Sequence, residues 1–186
     1  MKRKIWNLWV TLHWLMAVLV ITTFFIGLVS LNSISSPEKK WIPLGWHLVL
    51  GGLILFLVLA RLAMRVWVYN KPLFWSKDKN QTPRRQFILD KMDKFVHPLL
   101  YFGTILMAAL GIAISLPAGL PAVIFSGSEG SIPTDFSAFP ARAWHGAFSI
   151  VLMLLVFQHI LVAVFHQFIK KDNFIKRMWF KGTKEQ

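Results

Sequence analysis

The chain has 186 residues, of which 55% are hydrophobic, and yet it carries a formal net charge of +13. A soluble domain of this size could not bury so much apolar surface, so the composition indicates a membrane protein with basic loops. The basic residues lie between long apolar runs and form no stripe with exposed aromatic residues, which argues against nucleic-acid binding. There is no cysteine, which excludes disulfides, iron–sulfur clusters and covalently attached haem.

Four apolar stretches are long enough to cross a bilayer, which takes about 20 residues of helix. The first runs from about Leu8 to Leu31 and the second from Leu44 to Val66. The third runs from Phe95 to Leu116 and the fourth from Trp144 to Ile169. The sequence therefore predicts an all-α membrane protein, a four-helix transmembrane bundle that forms a single domain over residues 1–186.

The three connections between these spans differ in character. The last of them, residues 117–143, is rich in proline and glycine, which predicts irregular loop with room for one short helical turn. The second, residues 67–94, is strongly basic.

The lysines and arginines predict the orientation, because basic residues prefer the cytoplasmic loops. Lys39, Lys40 and Arg142 are the only three of the 21 basic residues that fall on one side of the predicted spans. The other 18 fall at the N-terminus, in the second connection with the end of its preceding helix, and in the C-terminal tail. Both termini are therefore predicted to face the cytoplasm.

Four histidines lie within the predicted spans, where ionisable side chains are costly and usually mark function. His13 lies near the cytoplasmic start of the first span, and His159 lies about 16 Å from the same boundary at 1.5 Å per residue. His47 and His145 lie near the opposite ends of the second and fourth spans. Depth therefore predicts an inner pair, His13 with His159, and an outer pair, His47 with His145.

The spacing within the fourth span supports this pairing. His145 and His159 are 14 residues apart, and 14 steps of 100° fall about 40° short of four full turns. The two histidines therefore share one helix face and are separated by about 21 Å along the axis. One helix can thus supply a ligand to each of two stacked haems, each closed by two imidazoles, which suits electron transfer. Taken alone, any one of these histidines could instead be an interfacial residue bonded to a neighbour.

Three further residues follow a histidine by the same interval of 14. Gly27 and Gly111 would let a flat macrocycle approach the backbone at the depth of the other haem, although small residues in membrane helices also serve simple packing. Arg61, 14 residues after His47, could pair with a propionate of the inner haem. The alternative for Arg61 is an ordinary end residue whose charge reaches the membrane surface.

The two remaining histidines have open interpretations. His97 precedes Pro98 at the start of the third span, and it is either a boundary residue or a contact of the inner haem. His166 follows His159 by seven residues on nearly the same face. It is either a group that delivers protons beside the inner haem or an interfacial histidine near Lys170.

Over nearly its whole length the sequence resembles the bacterial cytochrome b561 family, the four-helix, di-haem, inner-membrane type. The residues that carry the resemblance are His13-Trp14, Trp46-His47 with Gly51, Arg61 and Arg65, His97, Trp144-His145, His159, His166 and Lys171-Asp172-Asn173. The pattern in the fourth span is the most specific part.

This resemblance implies two non-covalent haems b, with iron ligated by His13, His47, His145 and His159. It also implies a multi-pass location in the bacterial inner membrane and redox chemistry with superoxide or with quinol and quinone. Some relatives are superoxide oxidases that pass electrons to ubiquinone. The quinone here could be ubiquinone or menaquinone, and by analogy His166 would act catalytically near it.

The expected partners are membrane lipid, a quinone and either a small one-electron donor or a redox protein, with no nucleic acid; a homodimer stays open. At the outer face, Glu129 and Asp135 would weaken the attraction of an anion such as superoxide to the few basic groups. One alternative is the cytochrome b subunit of a larger hydrogenase or formate dehydrogenase type of complex. Another is a transporter without haem, although no Asp or Glu lies within the predicted spans.

Overall fold

The computed structural model describes residues 2–30, 37–68, 84–126, 132–133, 135–171, 175 and 179–180. Within these residues the regular structure is helical, and no strand occurs. The architecture is built from four long helices and one short one.

The first half of the chain forms two long helices that each end in a wider turn. Helix α1 spans Lys2–Phe25 and continues as a π-helical turn over Ile26–Ser30. Helix α2 spans Pro37–Ala63 and continues as a second π-helical turn over Met64–Val68. Such turns insert one extra residue per turn and are frequent next to functional sites.

The second half contains α3 over Arg84–Ser115, the short α4 over Leu120–Ser126 and α5 over Ala141–Phe168. Helix α3 begins well before the predicted span at Phe95. The charged residues between 84 and 94 end the membrane-crossing segment, but they do not end the helix, because lysine, arginine and glutamine are good helix formers. Helix α4 corresponds to the short helical turn expected in the connection 117–143.

Four of the helices are long and apolar enough to cross a membrane, over Lys4–Val29, Lys39–Trp67, Phe95–Ser115 and Ala141–Phe168. Their outward faces carry large apolar side chains such as Phe56, which is 68% exposed. In water such surfaces would be costly, whereas lipid tails accept them. The predicted class, an all-α membrane protein with four transmembrane helices, is confirmed.

The helices do not all pack equally closely against one another. Helix α5 packs closely on α3, and α2 packs on both α1 and α3. The backbone of α5 approaches α1 and α2 much less closely. Any contact between α5 and those two helices therefore depends on long side chains.

One end of the bundle is closed by an apolar cluster that we call the outer cap. Its buried members are Leu44 of α2, Leu120 and Val123 of α4, and Ile132. Leu120 is only 2% exposed. Leu44 comes three residues before His47 on α2, so the cap lies next to the helical turn that carries this histidine.

Candidate functional site

The two predicted histidine pairs come together between α5 and the first two helices. The rings of His13 on α1 and His159 on α5 have centroids 6.1 Å apart and planes inclined by 79°. The rings of His47 on α2 and His145 on α5 have centroids 6.0 Å apart and planes inclined by 67°. Both histidines of α5 therefore reach across the gap that the backbone leaves open.

The separation within each pair is the one expected when a single metal ion lies between two imidazoles. A metal–imidazole bond is about 2.0 Å long and a ring nitrogen lies about 1.1 Å from its ring centroid, which together place two ligating rings about 6 Å apart. Rings in direct contact could be closer. The residues present thus fit the binding of haem iron at each level, where each pair would supply two imidazole ligands.

A third imidazole lies at the inner level. The ring centroid of His97 on α3 is 4.9 Å from that of His159, which is shorter than the separation across a shared metal ion. Among the described residues, no group of three or more His, Asp or Glu side chains is placed to hold one ion together. His97 lies inside α3 rather than at its start, so of its two interpretations the structure favours the contact with the inner level.

Two glycines give the outer pair its room. A methyl group at Gly27, in the π-helical turn after α1, would lie 3.1 Å from Cε1 of His47. A methyl group at Gly111 of α3 would lie 3.5 Å from Cε1 of His145. Both glycines lie at the level of the outer pair, as their spacing predicts, but the groups that they clear are the imidazoles themselves.

The Nδ1 atoms of the two histidines in the outer pair have similar surroundings. The Nδ1 atoms of His47 and His145 are buried and make no hydrogen bond of normal geometry. The backbone oxygens of Thr23 and Met107, each one turn before one of these glycines, lie beside the two rings. A histidine that ligates a metal through Nε2 commonly directs its Nδ1–H to such a carbonyl, so this surrounding also fits metal ligands.

Arg61 is enclosed by side chains from three helices. It is 5% exposed, and its guanidinium carbon lies 4.3 Å from the ring centroid of Trp9 on α1. The Tyr101 side chain on α3 also lies beside the guanidinium, close enough to interact with it. An end residue that reaches the membrane surface would expose its charge, so the structure favours a site role at the inner level, near His13.

Neither Trp9, which the sequence suggests only as an interfacial anchor, nor Tyr101 was predicted as a residue of the site. Their positions carry a usable signal, because Trp9 comes four residues before His13 and Tyr101 four residues after His97. One helical turn places side chains four residues apart on the same face. Aromatic residues in such positions are common in membrane helices, however, so the signal is visible only once the histidines are paired.

His166 lies near the end of α5, where it is 5% exposed. This burial disfavours the interpretation as an interfacial residue exposed to water. Trp179 lies against the first helix, since Trp6 Nε1 donates a hydrogen bond of 3.2 Å to the backbone oxygen of Trp179. Trp14 and Trp179 form an edge-to-face pair with ring centroids 6.4 Å apart.

At the outer end, acidic and basic groups lie near one another. The side chain and the backbone N–H of Ser137 donate hydrogen bonds to the carboxylate of Asp135. These bonds, with the charge of Lys40, hold the pKa of the Asp135 carboxyl below its usual value. Asp135 is therefore ionised at neutral pH and offsets the positive charges of Lys40 and exposed Arg142. Glu129 lies outside the described residues.

Comparison with known proteins gives two matches. A family model described as prokaryotic cytochrome b561 matches residues 6–181. A protein of Cereibacter sphaeroides named cytochrome b562 is 29% identical over 176 residues, which cover 92% of each chain. No solved structure gives a significant match.

Proposed function

The chain belongs to the prokaryotic cytochrome b561 family, and from that premise we propose that it carries two haems b, one in the inner pair and one in the outer pair. Family membership makes the chain a multi-pass bacterial membrane protein that binds haem b and transfers electrons. The finer proposal concerns which residues hold the haems and what lies at each end.

The observation that carries the proposal is the equal spacing of the two pairs. Ring centroids 6.1 and 6.0 Å apart leave room for one iron within each pair, with His13 and His159 as ligands at the inner level and His47 and His145 at the outer level. Bound haem supplies an iron that changes between two oxidation states and so passes one electron at a time. Arg61, buried at the inner level, would hold a haem propionate through a charge-assisted hydrogen bond.

The basic residues support an orientation for this pathway. With 18 of 21 lysines and arginines on one side, we place both termini in the cytoplasm and the outer cap in the periplasm. A periplasmic one-electron donor, for which superoxide is the candidate, would then deliver electrons at the outer level. Lys39, Lys40 and Arg142 are the basic groups available to attract an anionic donor.

The acceptor in this proposal is a quinone, ubiquinone or menaquinone, at the cytoplasmic side. Reduction of a quinone to quinol consumes two electrons and two protons, so a proton source must lie close to it. In its protonated form, the imidazolium of His166, buried near the end of α5, would donate a proton to a quinone oxygen as each electron arrives and regain a proton from the cytoplasm, which supplies both protons. The residues of the bundle thereby separate electron entry at one level from proton delivery at the other.

Haem quantification on single-alanine variants tests the ligand assignment. The wild type should contain two haems per chain, His13→Ala and His159→Ala should lose the inner haem, and His47→Ala and His145→Ala the outer haem. His97→Ala is the matched control, because its ring lies too near His159 for the two to share an iron; it should keep both haems. Loss of the same haem from His145→Ala and His159→Ala would contradict the two-level arrangement.

A further inference from the structure

The environment of Arg61 differs from that of any other basic residue near the histidine pairs. It is a charged side chain buried in the middle of three packed helices and 5% exposed. Arginine keeps its proton in proteins, because the positive charge is delocalised over the guanidinium and makes it a very weak acid. The molecule therefore holds a permanent positive charge inside the bundle.

Two aromatic side chains fix the position of that charge. The face of Trp9 lies 4.3 Å from the guanidinium carbon, within the range of a cation–π contact. The Tyr101 side chain approaches the guanidinium from α3 and lies close enough to interact with it. We call these three residues the arginine clamp. Trp9 lies on α1 and Tyr101 lies on α3, so the guanidinium is held from two sides. The Arg61 side chain is therefore kept inside the bundle and does not extend toward the membrane surface.

The arginine clamp lies at the level of the inner pair. Trp9 is one turn from His13, Tyr101 is one turn from His97, and Arg61 interacts electrostatically with His13. A charge acts strongly here, because the Coulomb energy increases as the local dielectric constant falls. The four spans contain no Asp or Glu, so no carboxylate of the spans cancels it.

Among the residues that the structure describes, no buried basic side chain accompanies the outer pair. The cation that interacts with His47 and His145 is Arg142, which is exposed at the start of α5. Its charge is screened by solvent and salt, and ionised Asp135 lies at the same end of the molecule. The field of positive charge is consequently stronger at the inner level.

From this asymmetry we propose that the arginine clamp raises the midpoint potential of the inner haem above that of the outer haem, so that electrons run downhill from the outer to the inner level. Reduction of a ferric haem adds one negative charge, and a fixed cation nearby stabilises the reduced form. Pairing of Arg61 with a propionate preserves the sign, because neutralising a carboxylate also favours the added electron. This inference rests on the two-haem proposal above and assigns the direction of electron transfer between the two haems.

A spectroscopic redox titration of the purified protein tests this assignment. Arg61→Gln should lower the inner potential so that the ratio of inner to outer reduction at equilibrium falls at least tenfold, which corresponds to 59 mV for a one-electron couple. Arg61→Lys, which keeps the charge, should recover most of the difference. Tyr101→Phe should shift the inner potential in the same direction as Arg61→Gln by a smaller amount.

Arg142→Gln is the matched control, because it removes an exposed arginine at the other level; its inner potential should equal that of the wild type. An unchanged inner potential in Arg61→Gln with both haems bound would overturn the proposal, as would a wild-type outer haem of higher potential. If Arg61→Gln loses the inner haem, the test passes to Tyr101→Phe and Trp9→Phe. An inner potential that is unchanged in both of these variants would overturn the proposal. A wild type with fewer than two haems would instead contradict the two-haem proposal.

Discussion

The two ends of the bundle use the same histidine chemistry in different surroundings. At the outer level the rings of His47 and His145 lie next to Gly27 and Gly111, and the apolar outer cap begins three residues before His47 on α2. At the inner level His13 and His159 are accompanied by His97 and by a buried arginine. Since α5 provides one histidine to each level, the difference arises from the helices that face it. A single scaffold can therefore give two similar ligand pairs separate properties.

The largest expected effect comes from opening the outer cap. Leu120→Ala removes a side chain of α4 that is almost fully buried in the outer cap with Leu44 of α2, and such deletions typically cost about 2–5 kcal/mol. Denaturation in detergent should show this loss, and the outer haem should be released first. Leu154→Ala, which truncates a lipid-exposed leucine of α5, is the control. Equal release of the two haems from Leu120→Ala would contradict the view that the cap protects one level.

A second substitution addresses the inner end alone. His166→Gln should slow quinone reduction by about 10²-fold, the lower end of the range for loss of a general acid. Both haems should remain bound, and reduction of the haems by an artificial donor should keep its wild-type rate. Stopped-flow spectroscopy with a soluble quinone measures the two steps separately. An unchanged rate of haem reoxidation by quinone would remove His166 from the proton path.

The glycines allow a finer test of the outer pair. Gly27→Ala brings a methyl group to 3.1 Å from the His47 ring, and displacing the ring from its rotamer costs about 1 kcal/mol, or about fivefold in haem affinity. Gly111→Ala should have a smaller effect, since its contact of 3.5 Å is an ordinary one. Gly52→Ala meets no atom within 4 Å and serves as the control. The measurement is the outer haem retained after dilution, and equal retention in all three variants would contradict the steric argument.

The smallest expected effect concerns charge at the outer face. Asp135→Asn removes a carboxylate that opposes Lys40, so consumption of superoxide at low salt should rise by less than about twofold. The increase should disappear at high ionic strength, because exposed charges are screened. Replacing Lys39, Lys40 and Arg142 together with Gln should act in the opposite sense. A rate that ignores all these charges would exclude electrostatic attraction of the donor.

Much of this arrangement could be predicted from the sequence, because bilayer thickness and helical geometry are strict. They set the span lengths, and the interval from His145 to His159 placed one histidine at each level. Ring distances in the structure agree with the pairing by depth, while iron ligation stays a prediction. The length of α3 was not predicted, since charge marks the edge of a membrane span and leaves helix formation free.

The polar surroundings of the site were harder to foresee. Arg61 was found through its spacing from His47, but its partners Trp9 and Tyr101 come from helices whose rotation only tertiary packing determines. The same holds for the glycines, which lie at the predicted level but whose contact with the imidazoles could not be read from their spacing. A sequence pattern shows which residues share one face of a helix. A contact between two helices also depends on how each helix is rotated about its axis relative to the other.

That α5 bears both His145 and His159 has a consequence for engineering. Inserting one alanine between them would turn one imidazole by 100° about the axis relative to the other, leaving one level assembled and the other without its partner. Inserting seven residues would return the two imidazoles to nearly the same helix face and increase their separation along the axis by about 10.5 Å. The number of residues between the two histidines therefore sets the distance that an electron has to travel between the two levels, and this number can be changed by mutagenesis.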